Sequence, residues 1–194
     1  MAKLLRPFAG DKAEKAAERL IHRFGGLGRA LGASPDQLAE ALEGDRALAE
    51  ALAASRALIE AGLREEIARA PVAIDDPNFQ DYLRLLIGKQ ATERLHATFV
   101  AHDWGYLGDD LIAEGAPGHV EGNMRLLLLR AFEIGAHGII LAHNHPSQSV
   151  EPSAADIALT RRVAALTQSV GIPLLDHLIV SGHAVVSMRE RGLL

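Results

Sequence analysis

No cysteine occurs among the 194 residues. That excludes disulfide staples and thiolate metal sites, so any metal must be held by nitrogen and oxygen. Aromatic residues are scarce, at 4%. A core must therefore be packed from Leu, Ile, Val and Ala, and a hydrophobic content of 48% is enough for one. Positive charge is also short. The net charge is −5 and the pI about 6.0, which gives no global counterpart to the basic face of a nucleic-acid-binding protein. No run approaches the ~20 apolar residues needed to span a bilayer. Residues 1–10 lack the apolar core of a secretory signal. Internal repeats and low-complexity tracts are absent too. These absences are those of a soluble, cytoplasmic protein, and the length allows one ordinary domain plus a small accessory one.

What is present changes character along the chain. Residues 11–70 are rich in Ala, Leu, Glu and Arg, all good helix formers. Ala13, Ala16, Ala17, Leu20, Ile21 and Phe24 fall at helical spacing, and Gly25-Gly26 ends that helix. Leu27 to Leu31 forms a short turn. Ser34-Pro35-Asp36-Gln37 combines an N-cap, a proline at the first helical position and a capping-box Gln, opening a helix over 35–43. A long helix follows over 46–70. The whole helical module, residues 1–70, carries 11 basic and 11 acidic residues, so it is electrically balanced. The plain reading is a small bundle for packing or interaction. Residues 71–78 form a linker, and a second domain occupies 79–194.

In that second domain a helix runs from Asp76-Pro77 to about Gly88. Leu95, Ala97, Phe99 and Ala101 alternate with other residues as in a half-buried strand, and 94–113 reads as a hairpin turning at Asp103-Trp104-Gly105. A loop at 115–118 precedes a helix capped by Asn123 and running to about Gly135. Then come a buried strand (138–142), a helix (154–170) ended by Gly171, and two strands (172–180 and 184–188) around Ser181-Gly182-His183. The class is α+β, a mixed sheet flanked by helices, with an all-helical N-terminal module.

The chemistry gathers at 138–156. In an extended segment residues i and i+2 share a side, so His143 and His145 project together with Cα atoms ~7 Å apart. Pro146 stops the strand and leaves the pair at its open end. Asp156 comes from the first turn of the following helix. Two imidazoles and a carboxylate leave a fourth position open, which is the ligand pattern of a catalytic zinc site. Such an ion lowers the pKa of water to about 7, and a carboxylate outside the ligand set would take the proton. A competing reading exists. Ser153-Ala154-Ala155-Asp156 is also a capping box with Asp in place of Glu. The two readings are compatible, since a capping serine at a site mouth can present its hydroxyl to a substrate. Asp176-His177 is a candidate support for a ligand, or a buried structural pair. His96, His102, His119, His137 and His183 lack ligand spacing and read as surface or structural.

His143-Asn144-His145-Pro146, Pro152-Ser153 and Asp156 resemble the His-x-His-Pro…Ser-x-x-Asp core of JAB/MPN (JAMM) metalloproteases. Thr160-Arg161 and Leu174-Leu175-Asp176-His177-Leu178-Ile179 are similar, more narrowly, to bacterial RadC proteins, over about residues 75–194. The resemblance implies the JAMM fold (cytidine deaminase-like) and one Zn2+ held by His143, His145 and Asp156. It further implies Glu93, just before the first strand, as general base, with Ser153 as donor to the developing oxyanion. An ungapped register from Glu93 through Gly115, Arg125 and Ala131-Phe132 favours Glu93 over Glu114, Glu121 and Glu133. The implied activity is metal-assisted hydrolysis of a peptide or other amide-bond substrate. Two alternatives are a DNA-associated accessory protein, the role attached to the RadC name, and a metal-binding interaction module without catalysis. The chain also departs from the pattern. Gln148 stands where the loop after His-Pro-Ser usually has Gly, and 115–124 lacks the usual Gly-[Ser/Thr]-Leu-Asn and His-Pro. The N-terminal module is similar to a degenerate helix-hairpin-helix domain, with Arg23-Phe24-Gly25-Gly26-Leu27 kept. Its hairpin has only Gly44-Asp45 where paired glycines would cradle a phosphate.

Overall fold

The computed structural model describes residues 1–115 and 120–194, with the backbone alone at 120–122. Most of the expected loop at 115–118, and His119, lie outside the described residues, as does the side chain of Glu121. The chain divides into two compact units, Met1–Gly62 and Leu63–Leu194.

The first unit is helical. Helices α1 (Ala2–Ala9), α2 (Ala13–Phe24), α3 (Leu27–Gly32), α4 (Pro35–Ala41) and the start of α5 (Arg46–Ile67) make it up, with a short 3-10 turn over Gly10–Lys12. Its core is small-residue packing around Leu5, Leu20, Leu38 and Leu52. The capping box before α4 is present in full. Ser34 Oγ accepts from the Gln37 N–H at 3.2 Å, and Gln37 Oε1 accepts from the Ser34 N–H at 3.0 Å. Gly25 ends α2 at φ 77°, a left-handed turn that glycine adopts without steric cost. No element was expected at residues 2–9, where α1 forms with Leu5 buried.

The second unit opens with the end of α5 and with α6 (Pro77–Leu86), capped by Asp76 through the Asn78 N–H at 2.8 Å. A five-stranded sheet follows. It is built from β1 (Arg94–Val100), β2 (Tyr106–Glu114), β3 (Gly138–Asn144), β4 (Leu174–Val180) and β5 (Val185–Ser187), in spatial order β2-β1-β3-β4-β5. Only β3 and β4 run parallel, and helix α8 (Ala154–Ser169) makes the crossover between them. Helix α7 (Val120–Glu133) joins β2 to β3. It begins three residues before the expected cap, so Asn123 lies inside it.

One sheet face packs Phe99, Ile139 and Leu141 against Leu127 and Ala131 of α7 and Val163 of α8. The other packs Val100, Ile140, Ala142 and Leu178 against Phe79, Tyr82 and Leu83 of α6. Strand β3 is covered on both faces, and all seven of its residues are buried. That is why its sequence is a continuous apolar run rather than an alternating one. The same burial delivers its polar C-terminal end, His143-Asn144, to the rim of the sheet.

Candidate metal centre

The three residues that the sequence singled out converge. His143 ends the α8 side of β3, His145 follows beyond the strand end, and Asp156 lies in the first turn of α8. His143 and His145 place their Nε2 atoms 2.9 Å apart. Asp156 sets Oδ1 3.2 Å from His143 Nε2 and Oδ2 3.2 Å from His145 Nε2. The three ligand atoms all lie within 4.8 Å of one another, and the group can hold a metal ion.

Hydrogen bonds assign the tautomers. Thr160 Oγ1 donates to the Asp156 carbonyl at 2.6 Å, so it accepts from His177 Nδ1, also at 2.6 Å. His177 is fully buried, and burial pushes its pKa well below the ordinary value, so the ring is neutral. Its one proton is on Nδ1, and its Nε2 accepts from His143 Nδ1 at 2.9 Å. The His143 proton is thereby fixed on Nδ1 and its Nε2 lone pair faces the site. His145 Nδ1 donates to the Ser149 carbonyl at 3.0 Å, which turns its own Nε2 lone pair inward. Two bare nitrogens and two carboxylate oxygens then face one point. Acceptors facing acceptors repel, and a cation between them removes the repulsion. Two buried residues and a half-buried His145, supported from behind, offer nitrogen and oxygen atoms that fit a metal ion.

Asp156 caps α8 as its sequence allowed, with both carboxylate oxygens beside the two histidines. Ser153 Oγ accepts from the Asp156 N–H at 3.2 Å, and Asp156 Oδ2 accepts from the Ser153 N–H at 2.7 Å, which is the complete capping box. Ser153 Oγ also donates to Asp156 Oδ2 at 2.6 Å. Burial pushes the Asp156 carboxyl up, while the two bonds donated by Ser153 pull it down.

Glu93 precedes β1 and is half-buried. Strand β1 pairs with β3 so that Leu95 lies opposite His143. Two residues further, the same register puts Glu93 at the level of His145. Burial raises its pKa above the ordinary carboxylate value, and the nearby Asp156 carboxylate adds to the rise. Asn144, between the histidines, points to the opposite face. Its Oδ1 accepts from the Arg94 N–H at 2.8 Å, and its Nδ2 donates to the carbonyls of Thr92 and Gln90 at 3.1 and 3.4 Å. It thus holds the backbone on both sides of Glu93.

The Asp176-His177 pair separates in space. The His177 ring supports His143, but the Asp176 carboxylate accepts from Ser187 Oγ and from the N–H groups of His177 and Arg189. Neighbours on a strand point to opposite faces, so Asp176 does not orient the imidazole beside it. Thr160, 17 residues back on α8, does. Among the remaining histidines, His96 is buried, His102 and His137 meet edge to face at 5.9 Å, and His183 is exposed.

Gln148 adopts φ 64°, the left-handed conformation that suits glycine. Its amide donates to the Gly88 carbonyl at 3.1 Å and accepts from the Gly182 N–H at 2.9 Å. The loop after His145 is tied in this way to the end of α6 and to the β4–β5 turn.

A family profile described as a RadC-like JAB domain matches residues 75–193. The chain is similar to a UPF0758 protein of Rhodobacter capsulatus, 30% identical over 191 residues, covering 98% of this chain and 89% of the relative. It is 33% identical to a UPF0758 protein of Methylibium petroleiphilum, with 100% and 88% covered. A UPF0758 protein of Bordetella petrii is 34% identical, with 95% and 82% covered. The profile spans the whole sheet, α8 and the three converging side chains, and the relatives extend the likeness through the N-terminal helices. The chain belongs to the RadC-like JAB domain family.

Proposed function

We propose that this chain is a zinc-dependent hydrolase of amide bonds, a peptidase or isopeptidase. The observation that supports this reading most is the convergence of His143, His145 and Asp156 acceptor atoms beside Glu93, a carboxyl biased by burial towards its protonated form. A zinc ion held by those three residues would supply Lewis acidity and lower the pKa of water to about 7. Glu93 takes the proton of the attacking water and delivers it to the leaving amine; a raised pKa brings it closer to the neutral range in which both transfers run. The Asn144 bonds keep Glu93 in place while it does so. His177 and Ser149 hold the imidazole protons on Nδ1, away from the reacting atoms. Ser153 Oγ, turned from Asp156 towards the cleft, donates to the carbonyl oxygen as charge develops there.

The test is metal analysis of zinc-replete protein followed by assay on a panel of fluorogenic peptides and isopeptide-linked dipeptides. About one zinc per chain is expected, with loss of at least ~100-fold in turnover for Glu93→Gln at full metal content. A chain that binds no zinc would sink the proposal. Undiminished hydrolysis by Glu93→Gln with metal retained would remove Glu93 from its role.

A further inference from the structure

Helix α7 buries Met124, Leu127 and Ala131 against the sheet. The face it turns outward is not polar, as a surface helix would have it. Leu126, Leu129 and Phe132 are 39, 47 and 57% exposed. On a helix, residues three and four apart share a face, so Leu129 is the centre of this patch. Leu126 and Phe132 lie three positions to either side of it. Arg125 and Glu133, both exposed, lie four positions to either side.

The charges are placed oddly for a solitary helix. Glu133 is the last residue of α7, where the helix dipole disfavours negative charge. Arg130, which bonds Glu133 at 2.7 Å and Asp110 of β2 at 2.6 Å, restrains it. The pattern becomes coherent when α7 meets its own copy. A twofold axis at Leu129 sets Leu129 against Leu129, Leu126 level with Phe132, and Arg125 level with Glu133. Every apolar position meets an apolar one, and each positive end meets a negative end. A parallel pair in register would instead stack like charges. Self-complementarity of this kind is what an isologous contact requires.

We infer that α7 is an antiparallel dimer contact between two copies of this chain, with Leu129 on the twofold axis. Five residues of one helix are far fewer than the ~20–30 a side of a standard interface, so the dimer is weak and concentration-dependent.

Sedimentation equilibrium of the full chain tests the contact. A monomer–dimer equilibrium is expected, with Leu129→Glu raising the dissociation constant at least ~10-fold at unchanged thermal stability. Arg125→Glu and Glu133→Arg should each weaken the dimer, and the double exchange should restore it. The chain has no native thiol, so Leu129→Cys gives one chemical probe per copy. Helices packed ~8–10 Å apart bring dyad-related Cα atoms within disulfide range, and oxidation should give a single cross-linked dimer. A monomer at every concentration overturns the inference. So does a dimer that tolerates Leu129→Glu, fails to cross-link through Leu129→Cys, or shows no rescue in the double charge exchange. If Leu129→Glu fails to fold, the charge exchanges and the cross-link decide.

Discussion

His143 Nδ1 lies 2.9 Å from Nε2 of His177, a residue 34 positions further along the chain on the adjacent strand. This single contact decides which nitrogen of His143 faces the candidate metal. Without the acceptor on His177, either tautomer is open to His143, and only one presents a lone pair to an ion. The His177→Phe variant keeps the bulk of the ring and removes the acceptor. Its zinc affinity, measured by chelator competition, should fall ~10- to 100-fold. An affinity equal to wild type would show that the contact does not set the ligand.

Asn144 acts on the other side of the site. Replacing it with Asp keeps the shape but turns two donated bonds into a carboxylate facing the carbonyls of Gln90 and Thr92. The segment that carries Glu93 should loosen. On the proposed role of Glu93 as base, hydrolysis should drop at least ~10-fold, because a small misplacement of a catalytic group is costly, while zinc content stays at the wild-type level. Loss of metal in step with activity would instead place the defect in the ligands.

Gln148 offers a test with a built-in comparison. In Gln148→Ala the left-handed φ stays and both bonds to Gly88 and Gly182 go. In Gln148→Gly the bonds go but the backbone strain, ~1 kcal/mol, goes too. Both variants should be less stable than wild type, and the glycine variant should recover ~1 kcal/mol of the alanine loss. Urea midpoints measure the order. An alanine variant as stable as the glycine variant would refute a strained backbone held by two bonds.

Stability should fall on acidification. His96 on β1 is buried, with Nε2 3.4 Å from Asp109 Oδ1 and no partner for Nδ1 among the described residues. Burial pushes its pKa down from 6.5 to about 4, against the upward pull of Asp109 and Asp110 and with Arg64 and Arg94 assisting. Asp109 accepts from Arg64 at 3.0 and 3.3 Å, from Tyr82 at 2.6 Å and from Tyr106. Burial raises the Asp109 carboxyl, and these partners together with His96 bring it below its ordinary value. The folded His96 is depressed, so its contribution is complete above pH 6.5 and is lost as pH falls towards 4. There the unfolded chain binds a proton that the folded chain refuses. Linkage puts the loss at about 2 kcal/mol by pH 5 and about 3 kcal/mol in full. Asp109 continues the decline at lower pH. Urea midpoints at pH 7 and pH 5 should show this loss in wild type and a shallower one in His96→Leu. Identical slopes would contradict it.

The convergence of His143, His145 and Asp156 was legible because its signals are local. A two-residue spacing in a strand aims two imidazoles together, and a serine three residues before an aspartate opens a helix. The sheet and its flanking helices were legible from the buried run at 138–142 and from the alternation at 95–101. The supports of the site were not. Thr160, His177 and Asn144 act across 17 to 54 residues of chain, and no sequence periodicity reports which distant backbone or ring a polar side chain will meet. The adjacency of Asp176 and His177 suggested a working pair, but strand geometry turns them apart. The Asp109 cluster was hidden for the same reason as the supports, since its donors Arg64, Tyr82 and Tyr106 come from three separate elements.

The hydrogen-bond chain behind His143 ends on the carbonyl of Asp156, which is itself a candidate ligand residue. The path from His143 through His177 and Thr160 to Asp156 is therefore a loop that closes through the site. It has members on β3, β4 and α8, and no two of these elements complete it alone. Metal capture at this candidate site is expected only after the crossover helix has docked across both parallel strands. Zinc uptake followed in real time during refolding would serve as a clock for that docking step.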